Sequence, residues 1–162
     1  MNSAHISIKN QDATRRFAGL LGGLLEAGDV LLLEGDLGAG KSALARAIIQ
    51  TMPDTSGRIV LNEEVPSPTF TIVQTYEREV AEVWHFDLYR LSDAEELYEI
   101  GIEEALANHI SLIEWPDRLA HLKPLEFLEI VIGFGTEEEA RALELSGTKN
   151  WRSRLETLAA FS

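Results

Sequence analysis

The sequence predicts an α/β fold, a three-layer αβα sandwich with a mostly parallel, mixed central sheet. Three observations predict it. Asp29 to Glu34 is a short apolar run, followed by a Gly-rich turn and then by the good helix formers of Ser42 to Thr51. Strand and helix patterns alternate through the first half of the chain, which requires parallel strands with helices on both faces. Phe127 to Phe134 and Ala140 to Leu145 flank a polar turn and read as a hairpin, which adds antiparallel strands. A chain of 162 residues is expected to form one domain, 1–162.

Taken in order, His5 to Ile8 alternates weakly, as a first or edge strand does. Asp12 is the expected N-cap of a helix whose Phe17, Leu20, Leu21 and Leu24 fall at helical spacing, with Gly28 ending it. Arg15 occupies the capping-box position, so the box is incomplete. Met52 to Pro68 carries three prolines and reads as a loop, with a short strand expected at Arg58 to Leu61. Thr69 to Tyr76 and Glu79 to Asp87 read as strands joined by a tight turn at Glu77-Arg78. Ser92-Asp93-Ala94-Glu95 is a full capping box, which predicts a helix from there to about Ile100, before Gly101. Ile110 to Ile113 is a buried strand, and residues 117–122 a short helix. Asn150 is the expected cap of a last helix with Trp151, Leu155, Leu158 and Ala159 on one face.

Composition narrows the function. The formal net charge is −13, with 14 basic residues scattered among 27 acidic ones. A protein that grips a nucleic-acid backbone by itself needs a basic face, so direct, tight nucleic-acid binding is disfavoured. No apolar run approaches the length of a membrane-spanning helix, and Met1 to Asn10 lacks the pattern of a signal peptide. Without cysteine there is no disulfide framework, thiolate zinc site or thiol nucleophile. A soluble cytoplasmic protein is the expectation.

The chemistry centres on Gly35-Asp36-Leu37-Gly38-Ala39-Gly40-Lys41-Ser42, which fits G-x-x-x-x-G-K-[ST], the P-loop pattern. A Gly-rich turn feeding a helix N-terminus gathers unpaired N–H groups around phosphate oxygens. Lys41 is expected to reach the β- and γ-phosphates, and the Ser42 hydroxyl to sit on Mg²⁺. The expected architecture is thus that of a P-loop NTPase.

A P-loop needs a carboxylate to hold Mg²⁺ or its waters, at the end of an apolar strand. Glu114 ends the run Ile110 to Ile113, and Asp87 ends Val83-Trp84-His85-Phe86; either acid could serve. Thr69, in Ser67-Pro68-Thr69-Phe70, lies on a loop stiffened by Pro66 and Pro68. It reads either as a γ-phosphate sensor or as the start of a strand. His85 reads as a base or, more commonly for a lone strand-end histidine, as structural. Trp115 either covers the site or packs in the core. Arg90 and Arg118 are the nearest basic residues, free to pair with an acid instead of a phosphate.

Asp36-Leu37-Gly38-Ala39-Gly40-Lys41-Ser42, Ser67-Pro68-Thr69-Phe70, His85-Phe86-Asp87-Leu88-Tyr89-Arg90-Leu91 and Ile113-Glu114-Trp115-Pro116 occur in that order. Together they resemble the TsaE (YjeE) family, small bacterial P-loop ATPases needed to make threonylcarbamoyladenosine in tRNA. The resemblance runs from about Asp12 to Pro116 and is loose beyond. It implies that Asp36 to Ser42 bind ATP and that Ser42 and Glu114 are Mg²⁺ ligands. Ser42 stands where family members usually have Thr, and it keeps the hydroxyl. Asp87 matches an acidic position tied to hydrolysis, which makes Lys41, Asp87 and Glu114 the implied catalytic set. Thr69 matches a switch-like segment that responds to nucleotide, and Trp115 an aromatic beside the metal ligand. Further nucleotide contacts are implied near Thr14 and Arg141. The implied partners are TsaB and TsaD, which modify adenosine 37, with tRNA met only through that complex and no membrane involved.

Three other readings compete. A small-molecule P-loop kinase usually needs an Arg-rich lid, and no Arg cluster follows the P-loop. A GTPase switch needs an N-K-x-D segment, which Thr148-Lys149-Asn150 is not. A nucleotide-gated binding module would not depend on hydrolysis.

Overall fold

The protein is described from a computed structural model covering residues 2–162. Seven strands form one sheet in the order β1-β7-β6-β2-β5-β4-β3. They are β1 (Asn2–Ile8), β2 (Val30–Glu34), β3 (Val73–Tyr76), β4 (Val83–Asp87), β5 (Ile110–Glu114), β6 (Leu128–Phe134) and β7 (Arg141–Gly147). The central pairs β6–β2, β2–β5 and β5–β4 are parallel, whereas β1–β7, β7–β6 and β3–β4 are antiparallel. Only β7 and β3 therefore run against the other strands. The predicted α/β class, with its mostly parallel, mixed sheet, is what the chain adopts.

Two apolar clusters lie on opposite faces of this sheet. Side chains alternate along a strand, so Leu31 and Leu33 of β2 enter one cluster and Val30 and Leu32 the other. The first cluster is closed by α1 (Gln11–Gly22), α2 (Lys41–Thr51) and α5 (Arg152–Ala159), through Phe17, Ile48 and Leu158. The second is closed by α3 (Glu96–Glu99), α4 (Ile102–Asn108) and the 3-10 segment Pro116–Leu122, through Leu97, Ile102 and Leu119. A strand buried on both faces has no polar side, which is why β2 reads as an unbroken apolar run.

Local chemistry moves several boundaries. Asn10, not Asp12, caps α1: its side-chain oxygen accepts from Ala13 N at 2.9 Å. No strand forms at Arg58 to Leu61, because the Asp54 carboxylate accepts from Ser56 N and Arg58 N and folds that stretch on itself. β3 begins at Val73 and not at Thr69, since Ile72 turns at φ 70° and donates its N–H to Pro68 O at 2.7 Å. β4 begins at Val83 and the tight turn is replaced by a longer loop. Arg78 explains this: it is buried, and its Nε donates to Ile49 O at the end of α2.

The box at Ser92 is shifted by one residue. Glu96, not Glu95, reaches back to Ser92 N and Asp93 N, and the single turn α3 starts there. A further helix, α4, follows Gly101, which the sequence reading did not anticipate. Asn150 lies inside the 3-10 turn Lys149–Trp151 and accepts from Thr148 Oγ1 at 2.7 Å, so it does not cap α5. Among the described residues no helix is long and apolar enough to cross a membrane.

Candidate functional site

The carboxyl ends of β2, β5 and β4 meet at one edge of the sheet, where open α/β sheets bind ligands. Leu33 pairs with Glu114, and Glu114 pairs with Asp87. Strand alternation turns His85, Asp87 and Glu114 toward the face covered by α2. The loop from Gly35 to Gly40 leaves β2 at the same edge.

Two glycines make that loop possible. Gly35 has φ +150°, and a Cβ there would lie 2.5 Å from Ile132 O on β6. Gly40 is left-handed at φ +112° and is the N-cap of α2 without a side-chain capping bond. The first-turn N–H groups are thus left for a ligand, reinforced by the helix dipole. Lys41 is 5% exposed, and its Nζ donates to Gly35 O at 2.6 Å and Asp36 O at 3.0 Å. The ammonium also sits 4.3 Å from the centre of the Trp115 ring. Burial lowers the Lys41 pKa from its ordinary value, against the opposing pull of Glu114, Asp87 and Asp36.

The Ser42 hydroxyl lies 2.9 Å from each carboxylate oxygen of Glu114. His85 Nε2 contacts Glu114 Oε2 at 2.6 Å, with both side chains buried. Thr69 Oγ1 donates to Asp87 Oδ2 at 3.0 Å, and Tyr89 N donates to Asp87 Oδ1 at 3.0 Å. Ser67 Oγ bridges this network, 2.8 Å from Thr69 Oγ1 and 3.5 Å from Ser42 Oγ.

These groups surround a cleft of 230 Å³ bordered by Gly38, Lys41, Ser42, Thr69, Asp87 and Glu114. A second cleft, of 460 Å³ and so larger than this one, lies on the other side of the first turn of α2 and not over the acids. Thr14, Gln50 and Arg141 line it, and Gly40 borders both clefts. Arg141 is held by Ala39 O at 2.7 Å and lies over the Phe134 ring, whereas the Thr14 hydroxyl donates to Asn10 O. Two adjoining clefts of this kind suit a phosphate chain and an attached nucleoside.

The Ser42 and Glu114 side chains form an all-oxygen pair, the chemistry that Mg²⁺ prefers. Among the described residues no group of three or more His, Cys, Asp or Glu side chains forms a metal cage. Mg²⁺ needs none, since it is commonly held by one or two carboxylates together with waters and substrate phosphates.

Asp36, Leu37 and Ala39 hold their places in the loop, with Leu37 exposed at its rim and Ala39 buried. Arg90 lies over the Phe70 ring, and Arg118 donates to Leu91 O, so neither lines the small cleft. Trp115 does line it, besides packing against Tyr89. Sequence reasoning missed Ser67, whose signal was its i,i+2 spacing from Thr69. It also missed Arg46 and Gln50, one helical turn apart, which line the larger cleft and donate to Val65 O and Glu63 O.

A mixed sheet of this order, with its Gly-rich loop between β2 and α2 and two acids beside it, defines a P-loop α/β protein. The model of one family, described as threonylcarbamoyl adenosine biosynthesis protein TsaE, matches residues 8–143. The chain belongs to the TsaE family. It is 40% identical over 123 residues to the tRNA threonylcarbamoyladenosine biosynthesis protein TsaE of Rickettsia felis, covering 76% of this chain and 68% of that one. The protein of the same name from Bacillus subtilis is 36% identical over 131 residues, covering 80% and 77%. The crystal structure of YdiB from Bacillus subtilis superposes with a TM-score of 0.71 at 28% identity, covering 98% of this chain and 95% of that one.

Proposed function

We propose that this chain binds ATP with Mg²⁺ and hydrolyses it in the cytoplasm, as the ATPase component of the machinery that makes threonylcarbamoyladenosine at position 37 of tRNA. The observation that carries the reading is the convergence of Lys41, Ser42, Thr69, Asp87 and Glu114 on one cleft of 230 Å³.

ATP is the substrate, with its phosphates against the loop amides of Gly38 to Ser42 and its nucleoside beside Thr14 and Arg141. Lys41, already oriented by two loop carbonyls, offers its charge to the β- and γ-phosphates. Ser42 and Glu114 would hold Mg²⁺, which when bound supplies Lewis-acid stabilisation of phosphate charge. Asp87, fixed by Thr69 and the Tyr89 amide, orients or deprotonates the attacking water. Thr69 couples the loop to that acid, so nucleotide and loop position are linked. No arginine among the described residues lines the small cleft, so hydrolysis by the isolated chain is slow.

The partners are TsaB and TsaD, whose complex the chain acts on. A net charge of −13 suits a protein surface as the target and leaves tRNA to the complex. The test is ATP turnover by the native chain and by Lys41→Ala, with and without purified TsaB and TsaD. Stimulation by the partners that Lys41→Ala abolishes supports the proposal. Fast turnover by the chain alone, unchanged by the partners, overturns the partner assignment.

A further inference from the structure

His85 has no role in the chemistry above, yet it makes the shortest contact to Glu114. It lies on β4 opposite Leu112 of β5, so Glu114 is its diagonal neighbour on the same sheet face. The two side chains are 1% and 3% exposed. Glu114 Oε2 lies 2.6 Å from His85 Nε2. A carboxylate that holds a metal ion only accepts, so with Glu114 in that role the ring donates from Nε2. His85 Nδ1 is buried and has no partner among the described residues. The tautomer that protonates Nε2 leaves an unmet acceptor there instead of an unmet N–H.

The terminal torsion of a glutamate is broad, so its two oxygens exchange places readily unless something holds one. The Ser42 hydroxyl does not discriminate, being 2.9 Å from both. His85 touches Oε2 alone. We propose that His85 is a positioning residue: it commits Oε2 of Glu114 to the protein and leaves Oε1, which His85 does not touch, as the metal-facing oxygen. The inference rests on the reading of Glu114 as a Mg²⁺ ligand. Partners that orient metal-binding carboxylates commonly contribute 10- to 100-fold to metal affinity.

The test titrates Mn²⁺, as a spectroscopic substitute for Mg²⁺, into the full chain saturated with a non-hydrolysable ATP analogue. Binding is followed by electron paramagnetic resonance. His85→Phe keeps a ring without the donor, and His85→Gln places an amide N–H₂ near the Nε2 position. His85→Phe is expected to weaken Mn²⁺ by about tenfold or more and His85→Gln by less than about threefold. Analogue affinity in EDTA stays unchanged in both. Native Mn²⁺ affinity in His85→Phe, or equal losses in Phe and Gln, overturns the inference. If His85→Phe does not fold, His85→Asn against His85→Gln decides, because the shorter amide does not reach Glu114. Glu114→Gln separates the two levels. If it leaves Mn²⁺ affinity intact, the metal reading fails and takes the inference with it. If it weakens Mn²⁺ while His85→Phe does not, only the inference fails.

Discussion

Thr69 Oγ1 donates a 3.0 Å hydrogen bond to Asp87 Oδ2, joining the proline-stiffened loop to the carboxyl end of β4. The bond spends one oxygen of the acid and points the other at the Tyr89 amide. Thr69→Val keeps the shape and removes the donor. It is expected to lower kcat for ATP by up to about a hundredfold, since small displacements of a catalytic group cost that much. Nucleotide affinity should change by less than kcat, because Thr69 acts on the nucleotide only through its loop and not as part of the P-loop. Separate measurement of kcat and of the dissociation constant checks this; an unchanged kcat refutes it.

Lys41 offers a pH test. Burial holds its pKa below the ordinary 10.5. Only the protonated amine attracts phosphate, so affinity for ATP should fall as pH rises through that lowered value. The fall should begin at lower pH than for an ordinary lysine and be absent in Lys41→Ala. Calorimetric titrations between neutral pH and the ordinary lysine range would show it.

Gly35→Ala should destabilise the fold by about 1–3 kcal/mol. The added Cβ would meet Ile132 O at 2.5 Å, and the backbone φ is +150°. Relief requires β2 and β6 to separate at the start of the loop. Urea denaturation of the variant checks this, and a midpoint equal to that of the native chain refutes it.

Arg154 of α5 bonds Asp29 Oδ2 at 2.6 Å, Leu24 O at 3.1 Å, and lies 3.6 Å from the centre of the Trp151 ring. Asp29 is buried, so Arg154→Leu leaves an unpaired charge and should cost about 3 kcal/mol. Replacing Asp29 as well should cost less than Arg154→Leu alone, which a double-mutant cycle measures.

Glu34 has its pKa raised by burial first and by Glu129 next. A raised folded pKa means that its contribution to stability is present below the unfolded value and lost as pH rises through the folded one. Glu34→Gln should therefore stabilise the chain at neutral pH. The gain should vanish below the ordinary value of 4.5, where the native side chain is protonated in both states. Thermal melts at both pH values test the sign.

How much was legible depended on whether a signal was local. The Gly35–Ser42 spacing, the apolar run of β2 and the hairpin of β6 and β7 are each encoded within a few neighbouring residues, and each forms near its expected place. Where competing local bonds existed, the nearest geometry prevailed: Asn10 over Asp12, and Glu96 over Glu95. The loop from 77 to 82 was illegible because the cause lies far away, in the α2 carbonyl that Arg78 reaches.

The sequence by itself determined the α/β class, the P-loop and the set of acids and hydroxyls worth considering, because strand periodicity and turn chemistry are local. Only the tertiary structure decided which of them meet. Parallel pairing of β2, β5 and β4 brings Asp87 and Glu114 to one edge, although 27 residues separate them in the numbering. The same pairing seats His85 on Glu114 and turns Trp115 under Lys41. Strand register sets those contacts, and register is the outcome of burying two apolar faces at once.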